Sequence, residues 1–323
     1  MKILAMVHGF PPYHNAGAEW MLYDMLKSLV DKGHKCVVYL SDAKESKEYE
    51  YNGIEVKIDD FEKRKEELRT TDLIISHLDR YGKALNIAEF YRKPYVLLVH
   101  NTHFYAGIGE KHKPTMHERF VYVVYNSEYT QKALHYPNPS IIVHPPVNAE
   151  RVKTKRGEKI TLINCWEDKG GLLLQEIARL MPEYKFIGVK GGYGHQEICE
   201  LPNIKYLENT PDIKKVYGQS RIILMPSKYE SYGRVAVEAM ASGIPVIAQP
   251  TPGLKESLGE AGIFCDRDKP EQWVEAIKKL DDPKTYKEAS TLAVKRFAEI
   301  DAKTAQELTD FEDFLIRCIN KKA

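Results

Sequence analysis

Two doubly wound α/β domains facing across a cleft are the architecture this sequence predicts, and three observations predict it. The chain has 323 residues, too many for one ordinary core and suited to two domains of roughly 150 each. Its apolar runs are short and β-branched, and stretches with apolar residues at helical spacing separate them. The alternation pauses once, near the middle of the chain, and then resumes.

In the first series, Ile3–Val7, Cys36–Leu40, Leu73–Ser76, Tyr95–Val99, Tyr122–Tyr125 and Ile141–Val143 read as strands buried on both faces. Between the first two, Met21, Leu22, Met25, Leu26, Leu29 and Val30 recur at helical spacing, and Gly33 stands at the C′ position that closes such a helix. Strand, helix, strand in this order builds a parallel sheet with right-handed crossovers. The pause is His144-Pro145-Pro146-Val147-Asn148, which is stiff, followed by Arg151–Lys159, a polar stretch with five cations. This segment is the expected linker. The second series gives Ile160–Ile163, Tyr184–Val189, Ile204–Leu207, Ile222–Met225, Pro245–Ala248 and Gly262–Cys265 as strands, with helices clearest at Leu172–Leu180 and Val235–Ala241. Beyond Cys265 the pattern is helical at Glu271–Leu280, Lys284–Phe297 and Ala302–Cys318. The expected division is residues 1–149 as an N-terminal domain, 150–302 as a C-terminal domain, and a last helix, 303–323, crossing back onto the first.

Composition narrows the function classes. Hydrophobic residues at 43% and charged residues at 29% are those of a soluble globular protein. Lys+Arg numbers 47 and Asp+Glu 46, so the basic excess of a protein that grips a nucleic-acid backbone is missing. No apolar run approaches the roughly 18 residues of a membrane span. Met1–Val7 is followed by His8-Gly9-Phe10-Pro11-Pro12, where a secretion signal would continue. It reads as a buried strand, and the expected location is the cytoplasm, with contact at the inner face of a membrane left open. Cysteines 36, 165, 199, 265 and 318 are scattered without C-x-x-C spacing, a pattern of reduced core thiols and not of a disulfide framework or zinc site.

Ligands of open α/β sheets bind beyond the carboxyl ends of strands, so the loops there are where chemistry is sought. The stretch from Met225 to Ile247 reads as strand, polar loop, helix, glycine cap and strand. Glu230 lies in the loop, and Glu238 lies roughly 8 Å along the helix axis from Gly233, at about 1.5 Å per residue. A ligand at that helix mouth reaches both carboxylates and the N–H groups of Gly233, Arg234 and Val235. The helix start favours an anion, and the carboxylates accept hydrogen bonds from hydroxyls. A phosphate flanked by hydroxyl-rich rings, as in a nucleotide sugar, meets both demands. By residue type alone Glu230 reads as a solvated loop charge and Glu238 as a surface helix residue; the whole pattern argues for the ligand.

The pattern P-S-x-x-E-x-x-G-x-x-x-x-E-A-M-A-x-G-x-P-V-I resembles the donor-site signature of family four of the retaining GT-B glycosyltransferases, with its E-x7-E pair on Glu230 and Glu238. Further similar elements follow in family order: K-I-L-A-M-V-H-G-F-P-P at the start, A-G-A-E at 16–19, L-V-x-K-G-H-K-C-V-V-Y at 29–39, P-Y-V-L-L-V-H-N at 94–101 and N-S-E-Y-T at 126–130. The resemblance implies that Glu230 contacts donor-sugar hydroxyls, that Glu238 clamps the ribose, and that the backbone of Ser231, Tyr232, Gly233 and Arg234 holds sugar and diphosphate. Family members show G-R-L-x-x-x-K-G after the first strand of the second domain. Here Lys169 matches the Lys, while Asn164 stands where the Arg is expected. Loss of a nucleoside diphosphate needs cationic compensation, and Lys190, at the end of the next strand, is a candidate to supply it. In the first domain the family's two glycines are Ala16 and Gly17, so only Gly17 carries over, and His100 matches a His that lines the sugar pocket.

Asp266-Arg267-Asp268 reads D-x-D, a metal motif of another glycosyltransferase fold. It precedes Pro270 at a helix start and is expected to be capping, so no catalytic metal and no cofactor is expected. The expected activity is metal-independent glycosyl transfer with retention, with Glu230, Lys169 and His100 as catalytic residues and a UDP-, GDP- or ADP-linked sugar as donor. An epimerase of similar frame and a non-catalytic nucleotide-sugar-binding subunit are the alternatives. The acceptor, whether glycan, lipid or small metabolite, is expected to meet the loop from Asn101 to Arg119, with His103, Tyr105, Lys111, His112 and Lys113; nucleic acid is not an expected partner.

Overall fold

The computed structural model describes residues 1–41, 47–103 and 120–321. The chain forms two compact units, Met1–Pro146 with Thr304–Ala323, and Val147–Lys303. The first contains β1 (Lys2–Val7), α1 (Gly17–Asp31), β2 (Lys35–Leu40), β3 (Tyr49–Tyr51), β4 (Ile54–Ile58), α2 (Lys65–Thr70), β5 (Leu73–His77), α3 (Tyr81–Phe90), β6 (Tyr95–Val99), β7 (Val121–Tyr125), α4 (Glu128–Leu134) and β8 (Ser140–Ile142). Among the described residues its sheet has eight strands in the order β3-β4-β2-β1-β5-β6-β7-β8, and β3–β4 is its antiparallel pair.

The apolar runs are continuous because this sheet is covered on both faces. Ile3, Ala5 and Val7 of β1 share a core with Met21, Met25, Leu26 and Leu29 of α1 and with Phe311, Phe314, Leu315 and Cys318 of the last helix. Leu4 and Met6 point the other way, into a core with Ala84, Leu85 and Ala88 of α3. The hairpin of β3 and β4 is absent from the sequence expectation, although its signal is present. Asn52 and Gly53 both have positive φ, 51° and 84°, as the two central residues of a tight hairpin turn require. Its charged, partly exposed residues hid it from a search for fully apolar runs.

The second unit contains α5 (Ala149–Val152), β9 (Lys159–Ile163), α6 (Gly171–Leu180), β10 (Phe186–Val189), β11 (Ile204–Leu207), α7 (Lys214–Tyr217), β12 (Ser220–Met225), α8 (Arg234–Met240), β13 (Val246–Ala248), α9 (Pro252–Leu258), β14 (Gly262–Phe264), α10 (Pro270–Lys279) and α11 (Pro283–Asn320), whose residues from Thr304 onward belong to the first unit. Its sheet runs β11-β10-β9-β12-β13-β14, parallel throughout. Ile160 and Leu162 pack with Leu173, Leu174 and Ile177 of α6 and Trp273 and Ile277 of α10. Ile223 and Met225 face the opposite core, with Ala236, Val237 and Met240 of α8.

The expected linker is anchored and one helical segment differs from expectation. Within Arg151–Lys159, Val152 is fully buried, and the Thr154 N–H donates to Ser242 Oγ at 3.0 Å. Lys153, Lys155 and Arg156 are exposed, while Arg151 and Lys159 are half-buried. The two helices expected at Lys284–Phe297 and Ala302–Cys318 are one helix, α11. No Gly or Pro occurs between Lys284 and Asn320, so nothing in the backbone breaks it, and the apparent gap falls where its buried residues pass from Ala293 and Ile300 to Phe311 and Phe314. The cysteines carry no disulfide, and burial pushes the thiols of Cys36 and Cys165 up to about 12, which removes them as nucleophiles.

Candidate active site

In chain order the strands of the second sheet run third, second, first, fourth, fifth, sixth. The direction of winding reverses between β9 and β12, and a crevice opens beyond the carboxyl ends of strands at such a switch point. The two loops that leave those ends are Asn164–Gly170 and Pro226–Gly233. They are pressed together: Gly170 has a φ of 102°, and a Cβ there would stand 2.1 Å from Pro226 Cγ. Arg267, in the loop after β14, fastens both. Its guanidinium donates to the carbonyls of Asp168 at 3.0 Å, Glu167 at 2.5 Å and Pro226 at 2.5 Å.

Across this junction Lys169 Nζ lies 2.5 Å from Glu230 Oε1. The same carboxylate oxygen accepts from Ser227 Oγ at 2.8 Å, and Ser227 is buried. One helix turn on, the Glu238 carboxylate is held at both oxygens, by Arg234 Nε and by Tyr217 Oη, each at 2.8 Å. Burial, with the Glu238 carboxylate beside it, keeps the Tyr217 phenol well above its ordinary pKa, so it stays a donor. Each Glu238 oxygen accepts one of these bonds and has a second lone pair left for a ligand hydroxyl. Gly233, between the two acidic residues, has a φ of 93°, and a Cβ there would stand 2.5 Å from Leu254 Cδ2. Backbone conformation and close approach both demand glycine. The Tyr232 side chain is buried in the core beneath, and Ser231 is half-buried beside it.

Asn164 takes a left-handed conformation, with φ of 73°, one that Asn tolerates better than most residues. Its Oδ1 accepts the Trp166 N–H at 3.1 Å, so this side chain shapes the turn. Lys190 follows β10 and pairs with Glu208 at 2.6 Å. The D-x-D segment caps its own loop and not the helix: Asp266 Oδ1 accepts the Asp268 N–H at 3.0 Å, while the N-cap of α10 is Lys269, with no side-chain bond. Pro270 alone supplies the helix start. Among the described residues no three His, Cys, Asp or Glu side chains are placed to hold a metal ion.

Two further expected residues belong to the first unit. Gly17 opens α1, and a Cβ on it would meet nothing within 4 Å, so packing does not require glycine there. His100 follows β6, is buried, and its Nε2 lies 2.8 Å from Nδ1 of His77, at the end of β5. Glu19, in the first turn of α1, is also buried, and its Oε1 is 3.7 Å from His14 Nε2. The loop expected to meet the acceptor, Asn101 to Arg119, lies outside the described residues from 104 to 119. The sequence reading assigns no role to Ser227, Tyr217, Arg267 or His77. Ser227 stood in the quoted pattern and only its role was missed, whereas Tyr217 and Arg267 reach the site from distant segments, which no local pattern reports.

Residues 162–282 match the family model of glycosyl transferases group 1. D-inositol 3-phosphate glycosyltransferases are similar: that of Corynebacterium diphtheriae is 34% identical over 109 residues, 32% of this chain and 26% of the relative. That of Corynebacterium kroppenstedtii is 36% identical over 124 residues, 36% of this chain and 27% of the relative. The chain thus spans about a quarter of the length of these curated relatives. Among solved structures, the Anabaena HepE protein in complex with UDP and glucose aligns with a TM-score of 0.72 at 20% identity, over 96% of this chain and 99% of that one. A glycosyltransferase from Rickettsia africae gives 0.78 at 16% identity over 98% and 99%, and sucrose-phosphate synthase from Thermosynechococcus elongatus 0.76 at 14% over 98% and 100%. The fold is that of the GT-B glycosyltransferases.

Proposed function

We propose that this GT-B chain, with a group 1 glycosyltransferase domain at residues 162–282, moves a sugar from a nucleoside-diphosphate donor to an acceptor hydroxyl with retention of configuration and without a metal ion. The observation that carries the proposal is the meeting of Lys169 and Glu230 at the switch point between β9 and β12, 2.5 Å apart. One group is suited to a departing diphosphate and the other to sugar hydroxyls. Glu238, with spare lone pairs on both oxygens, serves the ribose, and the backbone from Ser231 to Arg234 serves the bridge between them. The Anabaena HepE protein, solved in complex with UDP and glucose and with UDP-glucose, supports a UDP-hexose as the first donor to test.

In the proposed reaction the bond from the anomeric carbon to the phosphate oxygen breaks as the acceptor oxygen bonds to the same face. The acceptor proton passes to the departing phosphate oxygen. Lys169 stabilises the charge that collects there, an electrostatic role that fixed donors perform well in a site that excludes water. Lys190, whose surface pair with Glu208 is a weak one, is the candidate cation for the Arg missing at Asn164, and Arg267 holds the loops. His100, in the first unit, is assigned to a sugar hydroxyl. Glycans, lipids and small metabolites all remain acceptors to try, and no helix among the described residues is long and apolar enough to cross a membrane.

The test is a thermal-shift panel of UDP, GDP, ADP, CDP and TDP with their sugars, followed by product analysis with and without chelator. A donor that binds the folded state raises the midpoint with concentration, and the product keeps the donor's anomeric configuration. A donor altered without any acceptor present points to an epimerase. Binding with no transfer to any acceptor points to a subunit that only holds the nucleotide sugar.

A further inference from the structure

His77 and His100 stand at the carboxyl ends of β5 and β6, neighbouring strands paired in parallel register. Their rings meet edge to face, with centroids 4.9 Å apart, and one hydrogen bond of 2.8 Å joins His77 Nδ1 to His100 Nε2. The Asn126 side chain donates to the His100 carbonyl at 3.1 Å, which fixes the backbone as well. His77 is 1% exposed, and its Nε2 finds no hydrogen-bond partner among the described residues. Burial, with His14 and His8 nearby, lowers the His77 pKa to about 3, and burial lowers that of His100 well below its ordinary value. Both rings are therefore neutral, and each carries one N–H.

A single hydrogen bond between two neutral imidazoles couples their tautomers, because the proton on one ring dictates the position of the proton on the other. Were His100 the donor through Nε2, the His77 proton would sit on its own Nε2, a buried donor without an acceptor. Orphaned buried donors are the rarer defect in folded proteins. The reverse arrangement puts the His77 proton on Nδ1, inside the shared bond, and the His100 proton on Nδ1.

We propose that His77 is a positioning residue, which fixes the ring and tautomer of His100 so that His100 offers an Nδ1–H donor to a substrate hydroxyl. The inference rests on the reading of His100 as a sugar-facing residue, but its first test does not. Nitrogen-15 spectra of the ligand-free protein report which imidazole nitrogens carry protons. The expected result is His100 protonated at Nδ1 and bare at Nε2, unchanged between pH 5 and 8. A His100 protonated at Nε2, or a charged His100 in that range, overturns the proposal whatever the protein catalyses.

The second test uses His77→Asn, whose amide donates near the position of Nδ1, and His77→Leu, which donates nothing. Transfer turnover is expected to fall about tenfold in His77→Leu and to be largely restored in His77→Asn, with nucleotide affinity the same in both. An equal loss in both variants, or full turnover in folded His77→Leu, rejects the positioning role. If His77→Leu fails to fold, the wild-type spectrum and His77→Asn still decide the matter. If no transfer is found for any variant while the spectrum is as expected, it is the proposed activity that has failed and not the coupling.

Discussion

Lys169 and Glu230 touch at 2.5 Å although 61 positions separate them in the chain. Each leaves the end of a different strand, and the strands are neighbours only because winding reverses there. Within the proposed reaction, Lys169→Ala and Glu230→Ala each lower transfer by about a hundredfold or more, with the circular dichroism of the native fold. The two share one contact, so the double variant loses less than the summed effects of the singles. Near-native turnover in either folded single variant rejects the assigned role.

Glu238 carries two jobs that one substitution confuses and two separate. Its carboxylate neutralises a buried Arg234 and accepts from a buried Tyr217. Glu238→Ala removes the carboxylate that both of them face and is expected to cost about 3 kcal/mol in denaturant unfolding. Glu238→Gln keeps an acceptor for Tyr217 and fills the same volume, so its stability loss is smaller. If ribose binding is the second job, nucleotide affinity falls in Glu238→Gln by more than its stability change explains. Calorimetry with the nucleotide that the donor panel selects checks this.

Glu19 makes stability depend on pH. Burial, with a lesser push from Asp79, raises its carboxyl from 4.5 to about 7, against an opposing backbone hydrogen bond. Below the unfolded value the group is protonated in both states and costs nothing. As pH rises through the window from 4.5 to about 7, the unfolded chain releases the proton first, so stability falls, by about 3 kcal/mol across the window. Glu19→Gln lacks that titration. Urea midpoints of the two proteins are expected to diverge from pH 5 to pH 8, with the variant the more stable at the upper end. A gap that stays constant with pH contradicts the assignment.

Legibility in the sequence followed how local the cause was. Strands such as Tyr95–Val99 were readable because burial on both faces writes a continuous apolar run. Glu230, Gly233 and Glu238 were readable because one strand–loop–helix segment carries all three. The β3–β4 hairpin was written only in Asn52-Gly53, and the unbroken α11 only in a lack of Gly and Pro. At Asn164 residue type reports a missing cation, and only the structure adds that its positive φ and its bond to Trp166 shape the turn. The partners of the candidate site residues, Tyr217 on Glu238 and His77 on His100, depend on tertiary placement, and a single sequence does not record that.

Arg267 gives the sharpest test of whether the two switch-point loops act as one piece. It lies in a segment whose acidic neighbours suggested a metal motif, yet its own guanidinium makes the connection, with three backbone carbonyls from two loops as acceptors. Only a planar fork with several N–H donors reaches all three in fixed geometry, and a lysine ammonium does not reproduce it. Arg267→Lys therefore keeps the charge and loses the clamp. If charge alone mattered, Lys would restore whatever Ala removes. If the clamp matters, both variants let the Lys169 loop drift from Glu230, and near-attack geometry suffers from displacements of about 1 Å. The expected outcome is a stability loss of about 2 kcal/mol in Arg267→Ala, most of it persisting in Arg267→Lys. Turnover is expected to drop in both by more than nucleotide affinity does. Full rescue by Lys would assign Arg267 to the electrostatics of the site and leave the two loops independent.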